Sequence, residues 1–148
     1  MNRKERERLF KKQEILDAAI KIFAKKGFKA TTLDEIAEKS EFGKGTIYNY
    51  FSNKEEIYKE TITYISDLHR NIIYEAEKNA ETYYDFIYKT TKSHIAFCLG
   101  NKEAFLLLIY TKMHHAKSST SEISKLMDKR HNEMTQFYIE RTKKAIQN

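Results

Sequence analysis

The chain has 148 residues, with 27 basic against 21 acidic side chains and a formal charge of +6, a length that suits one domain or two small ones. It has no proline and four glycines, where ordinary usage would supply about 7 and about 10, which favours long helices over a turn-rich β fold. One cysteine, Cys98, excludes an internal disulfide framework and a cysteine-based zinc site, and the longest apolar run, Ala104 to Tyr110, is far short of the ~20 residues of a membrane span.

The segment after Met1 is charged rather than apolar, so no export signal is visible and a cytoplasmic protein is expected. Ile15, Ala19, Ile22 and Phe23 form the apolar stripe of a first helix, with Leu9 and Phe10 extending it upstream. Gly27 ends that helix after Lys25 and Lys26, cations that suit its C-terminal dipole. Thr32-Leu33-Asp34-Glu35 fits a capping box and opens a short helix to about Ser40, with Leu33, Ile36 and Ala37 inward. After Glu41-Phe42-Gly43 another short helix starts at Lys44, with Ile47 and Phe51 on its buried side. Asn53-Lys54-Glu55-Glu56 reads as a second capping box and begins a long helix to about residue 79, whose stripe is Tyr58, Ile62, Ile65, Leu68 or His69, and Ile72.

Three more helices follow. One covers about 82–99, with Phe86, Ile87, Thr91, Ile95 and Leu99 inward. Another covers about 102–114, where Phe105 to Ile109 is apolar on every side and is expected to be deeply buried. After a turn at Ser118–Ser121 the last runs over about 122–146. The expectation is an all-α protein without a β-ladder.

Residues 1–54 carry 13 basic and 8 acidic side chains, so most of the excess charge is N-terminal, as in a polyanion-binding module. Two short helices joined by a tight turn behind a longer one are the parts of a helix-turn-helix reader, whose second helix enters the major groove. Ala37, Phe42, Ile47 and Phe51 supply the apolar contacts between helices, and Lys44, Thr46, Asn49 and Tyr50 a polar outward face.

The run from Thr31 to Ala37, then Gly43-Lys44-Gly45-Thr46-Ile47-Tyr48-Asn49-Tyr50-Phe51, then Asn53-Lys54-Glu55, resembles the DNA-binding domain of the tetracycline-repressor (TetR) family over roughly residues 10–60. The resemblance implies a helix-turn-helix domain over 1–53 and a helical ligand-binding and dimerisation domain over 54–148. It implies that Thr32 meets a phosphate, that Lys44 binds phosphate or a guanine edge, and that Gly45 permits close approach to the bases. Thr46 and Asn49 become base readers, Asn being able to pair bidentately with adenine. Tyr48 and Tyr50 would touch phosphates or a thymine methyl, and Lys54 would add a phosphate contact. Two positions depart from the family pattern: Glu41 stands where glycine is common because the turn favours positive φ, and Gly43 replaces a Ser or Thr cap.

The implied partners are a pseudo-palindromic double-stranded operator, a second copy of the chain, and a small apolar or aromatic ligand. Tyr64, Tyr84, Tyr88, Phe105, Tyr110 and Phe137 are the candidate pocket rings, against ordinary core packing. No metal, cofactor or membrane partner is expected. His114 and His115 are adjacent and point about 100° apart, a poor basis for a metal site with His131. No nucleophile–base set or carboxylate pair indicates an enzyme, and Cys98 reads as a small buried hydrophobe. Proteins of this family usually continue with two more long helices, so a truncated chain with a homodimeric functional form is expected. The rival reading is a DNA-bound interaction protein of the same fold, such as a nucleoid-associated cell-division factor without an inducer.

Overall fold

In the computed structural model, which describes residues 1–115 and 122–147, the helices are α1 (Arg3–Ala30), α2 (Leu33–Lys39), α3 (Lys44–Tyr48), α4 (Lys54–Lys78), α5 (Tyr83–Gly100), α6 (Lys102–His115) and α7 (Glu122–Gln147). No strand occurs among the described residues, as expected of an all-α chain. The expected turn at Ser118–Ser121 lies outside them, as do the side chains of His114 and His115. No helix among the described residues is long and apolar enough to cross a membrane.

The chain divides into compact units over Met1–Tyr64 and Ile65–Asn148. In the first unit Ile15, Ala19 and Phe23 of α1 are buried with Ile36 of α2, Ile47 of α3, and Phe51, Ile57, Tyr58 and Ile62. Each large apolar side chain taken from water contributes about 1.5–3 kcal/mol. Phe23 meets Tyr58 edge-on at 4.9 Å between ring centroids, and Phe28 lies 5.0 Å from the same ring. Phe28 reaches it because Gly27 breaks the helical course at φ 73°, a conformation a side chain would strain. Leu9 and Phe10 do not extend the buried stripe: both are exposed, because α1 reaches upstream of the core that its middle turns cover.

The Thr32–Glu35 capping box forms, with both reciprocal bonds present. The second box forms by half. Glu56 N–H donates to Asn53 Oδ1 at 2.8 Å, but the Glu56 carboxylate accepts from Ser52 N–H at 2.6 Å rather than from the cap residue. Between α2 and α3, Glu41 takes φ 59°, a left-handed conformation that costs a residue with a Cβ about 1–2 kcal/mol. Glu41→Gly therefore raises stability by about 0.5–1 kcal/mol after the added freedom of the unfolded chain is subtracted, and Glu41→Val lowers it. Denaturant midpoints followed by circular dichroism check this; a lower midpoint for the glycine variant contradicts it.

In the second unit α4 contributes Ile65, Ile73 and Ala76, α5 contributes Phe86, Thr90 and Phe97, and α6 contributes Ala104, Leu107 and Thr111 to the buried interior. Phe86 packs 6.1 Å from Phe137 and 5.9 Å from Tyr138, fastening α7 to α5. Two expectations are corrected. The inward face of α5 is Phe86, Thr90 and Phe97, while Ile87, Ile95 and Leu99 are exposed and Thr91 with them. In α6 only Leu107 of the run Phe105 to Ile109 is buried, and Leu106 and Ile109 are 59% and 40% exposed. An all-round apolar helix carries no marker of which side its neighbours cover, and here α5 and α7 cover one side only.

Candidate nucleic-acid interface and cavity

Backbone bonds from Ser40 N–H to Ile36, from Glu41 N–H to Glu38 and from Phe42 N–H to Ala37 close α2 and turn the chain into α3. Ile47 and Phe51 are buried, which anchors one side of α3 and leaves Lys44, Gly45, Tyr48 and Asn49 exposed, with Thr46 half-buried beside them. These are the residues that the sequence places on the reading face, and the fold brings them onto one short helix and its C-cap. A Cβ added at Gly45 would meet nothing within 4 Å, so the helix surface is open there. Lys44 pairs with Asp34 of α2 at 2.7 Å, and that hydrogen bond, then the Asp34 charge, raises the Lys44 pKa from its usual value.

Thr32 is exposed at the start of α2. Its hydroxyl oxygen accepts from Glu35 N–H at 3.3 Å, while its own N–H donates to the Glu35 carboxylate at 3.0 Å. The hydroxyl proton remains available to a phosphate oxygen. Tyr50 is half-buried, and the Arg8 guanidinium of α1 lies over its ring at 6.0 Å. Arg8 is a cation beside the reading face that sequence reasoning missed; its only signal was the basic run at Arg3, Lys4, Arg6 and Arg8. Lys54 is placed differently from the expected phosphate contact. Its ammonium donates to the carbonyls of Thr31 at 2.8 Å and Lys29 at 3.4 Å, and sits 4.7 Å from the Phe28 ring centroid.

The second unit contains a cavity of about 580 Å³. Ile73 of α4, Phe105 and Leu108 of α6, and Met127 and Met134 of α7 make its apolar walls; Arg70, Thr90 and Arg130 bring polar groups to it. Of the six candidate rings only Phe105 lines it. Tyr84 is 81% exposed, Tyr88 and Tyr110 are also exposed, and Phe137 is in the aromatic packing around Phe86. Tyr64 belongs to the first unit, where burial, then the Asp17 charge, raises its pKa. Tyr138, another aromatic residue of the second half, does line the cavity. His131 lines it too, and no group of three or more potential metal ligands occurs among the described residues. Cys98 is half-buried rather than enclosed, its Sγ 3.6 Å from His94 Nε2.

His69 Nε2 and His94 Nδ1 are 2.6 Å apart beside the cavity, so one proton lies between them. Burial, then the neighbouring His94, lowers the His69 pKa from its ordinary 6.5. The unfolded chain therefore binds more protons just below that value. The stability tied to neutral His69 is complete above its unfolded pKa and is lost as the pH falls through the folded one. The melting temperature should fall on acidification from about pH 7.5 to about pH 5, and His69→Gln should flatten that decline. Glu35, held low first by the Lys26 hydrogen bond, and Asp85, held low first by Lys89, lose their contributions only at more acidic pH, so the lower decline persists in the variant. Equal pH profiles for the two proteins would contradict the assignment.

The profile of the family described as bacterial regulatory proteins, tetR family, matches residues 15–61, from the middle of α1 into the start of α4. Residues 15–61 thus form a DNA-binding domain of the TetR family. The HTH-type transcriptional regulator YhgD of Bacillus subtilis is 51% identical over 53 residues, 36% of this chain but only 28% of that protein. IcaR of Staphylococcus aureus, an HTH-type negative transcriptional regulator of the biofilm operon icaADBC, is 29% identical over 136 residues, 84% of this chain and 73% of its own. The TetR fold extends through the described helices: the crystal structure of AibR, solved with isovaleryl coenzyme A and operator DNA, superimposes with a TM-score of 0.72 at 19% identity, covering 93% of this chain and 72% of AibR.

Proposed function

We propose that the chain is a one-component repressor that reads a pseudo-palindromic operator as a homodimer and is released by a small ligand held in the cavity of its second unit. The observation that carries the DNA half is the α3 face: Gly45 and Asn49, each two positions from buried Ile47 and so about 160° round the helix, are exposed, and Lys44 is exposed in the first turn. The roles of Thr32, Lys44, Gly45, Thr46, Tyr48, Asn49 and Tyr50 belong to this proposal, and Arg8 joins them. Lys54 acts by positioning the end of α1 against the start of α4. IcaR's description as a negative regulator supports repression, and the AibR complex with operator DNA and isovaleryl coenzyme A supports ligand control. The cavity's size falls within the roughly 300–1,000 Å³ of small-molecule sites. Exposed apolar side chains on α6, among them Leu106, Ile109 and Met113, support a contact with a second copy.

Selection from a random DNA pool tests the reading. The expected result is two inverted half-sites about one helical turn, or a multiple of one, apart. Recovery of single unrelated sites, or occupancy dispersed over many chromosomal positions rather than a few promoters, would contradict it.

A further inference from the structure

We propose that the cavity takes an alkyl or aryl chain ending in a carboxylate, with Arg70, Arg130 and Thr90 receiving the anionic end. The assignment deepens the ligand-release reading and depends on it for its regulatory meaning. Among the described residues, the buried side-chain nitrogen and oxygen atoms without a hydrogen-bond partner are Arg70 Nε, Thr90 Oγ1, Arg130 Nε and Arg141 Nε. Arg141 Nε lies 3.5 Å from a Glu77 carboxylate oxygen; the other three belong to residues lining the cavity. Buried polar atoms are nearly always satisfied, so such a cluster around one cavity points to a ligand.

Thr90 carries the argument further. Helical threonines commonly return their hydroxyl to the carbonyl one turn back, and Thr61, Thr63, Thr111 and Thr142 do so here at 2.6–2.8 Å. Thr90 is buried on α5 and makes no such bond, which leaves a donor at the cavity wall.

Charge then selects the ligand's polar end. Arg70, Arg130 and Lys112 line the cavity with a single lining carboxylate, Asp128. Asp67 is shared by both guanidiniums, with Arg70 Nη2 at 2.7 Å. Glu133 lies 3.9 Å from Arg70 and at the same distance from Lys129, so it is divided between them. With Lys129 counted, four cations face three carboxylates, Asp67, Asp128 and Glu133, so one positive charge is left over, which matches a monoanion, and a guanidinium receives a planar carboxylate well. Ile73, Phe105, Leu108, Met127 and Met134 supply the apolar wall that a chain-bearing acid needs and inorganic phosphate does not.

The test is calorimetric titration of the full chain with dodecanoate, dodecanol and dodecanoyl coenzyme A, each below its micelle concentration. Dodecanoate should bind at least about tenfold more tightly than dodecanol. Thr90→Val removes only an unpartnered hydroxyl and should keep the fold; it and Arg130→Gln should each weaken dodecanoate several-fold and leave dodecanol unchanged. Should Arg130→Gln unfold, Thr90→Val decides alone. Equal affinity for acid and alcohol, loss of both in Thr90→Val, no binding of dodecanoate, or binding of the thioester without the acid would each overturn the assignment. Dodecanoate bound in the cavity while operator DNA stays bound leaves the ligand class standing and defeats the release reading. Release by an uncharged aromatic compound without dodecanoate binding does the reverse.

Discussion

Asn49→Ala should cost roughly 1–3 kcal/mol on the selected operator, a loss of up to about 150-fold, and much less on random DNA. Asn49 caps α3, its N–H donating to the Gly45 and Thr46 carbonyls at 3.3 and 3.1 Å, so the backbone is held and the exposed amide is what the substitution removes. Lys44→Ala is the contrast. Its ammonium is exposed and paired with Asp34 across the surface, a contact worth little in water, so a phosphate can replace that partner. The variant should weaken operator and random DNA alike and lower the salt-dependence slope by about one for each lysine engaged. Titrations of both DNAs at several salt concentrations separate the two. Equal losses on both DNAs from Asn49→Ala would remove its role as a base reader.

Lys54→Met should cost the first unit about 1–3 kcal/mol, because its ammonium satisfies two carbonyls at the end of α1 and lies over Phe28. The same position read from sequence predicts a phosphate contact, and so a lower salt slope with unchanged stability. The observed geometry predicts the opposite pair of results: a lower denaturant midpoint and a slope near that of the parent. Weaker DNA binding then follows from loss of folded reader, and should recover at temperatures where the variant is fully folded. A slope lower by one with no loss of stability would return Lys54 to the phosphate backbone.

What the amino-acid order determined by itself is local. The Thr32–Glu35 box, the stop at Gly27 and the start of α3 at Lys44 depend on groups within a few residues of one another, and each appears where the pattern places it. Part of the reading face was legible for the same reason: once Ile47 is assigned inward, helical spacing directs Gly45 and Asn49, two positions to either side, outward. Residues distant in the chain decided the rest. Lys54 meets carbonyls 23 and 25 positions away, and Asp67 meets Arg130 across 63, distances over which periodicity carries no information. The covered side of α6 was illegible because a helix apolar all round has no preferred face until α5 and α7 are packed against it. The cavity likewise arises from α4, α5, α6 and α7 together, which is why the aromatic count pointed to Tyr84 and Tyr88, while packing placed Arg70, Thr90 and Arg130 at the wall.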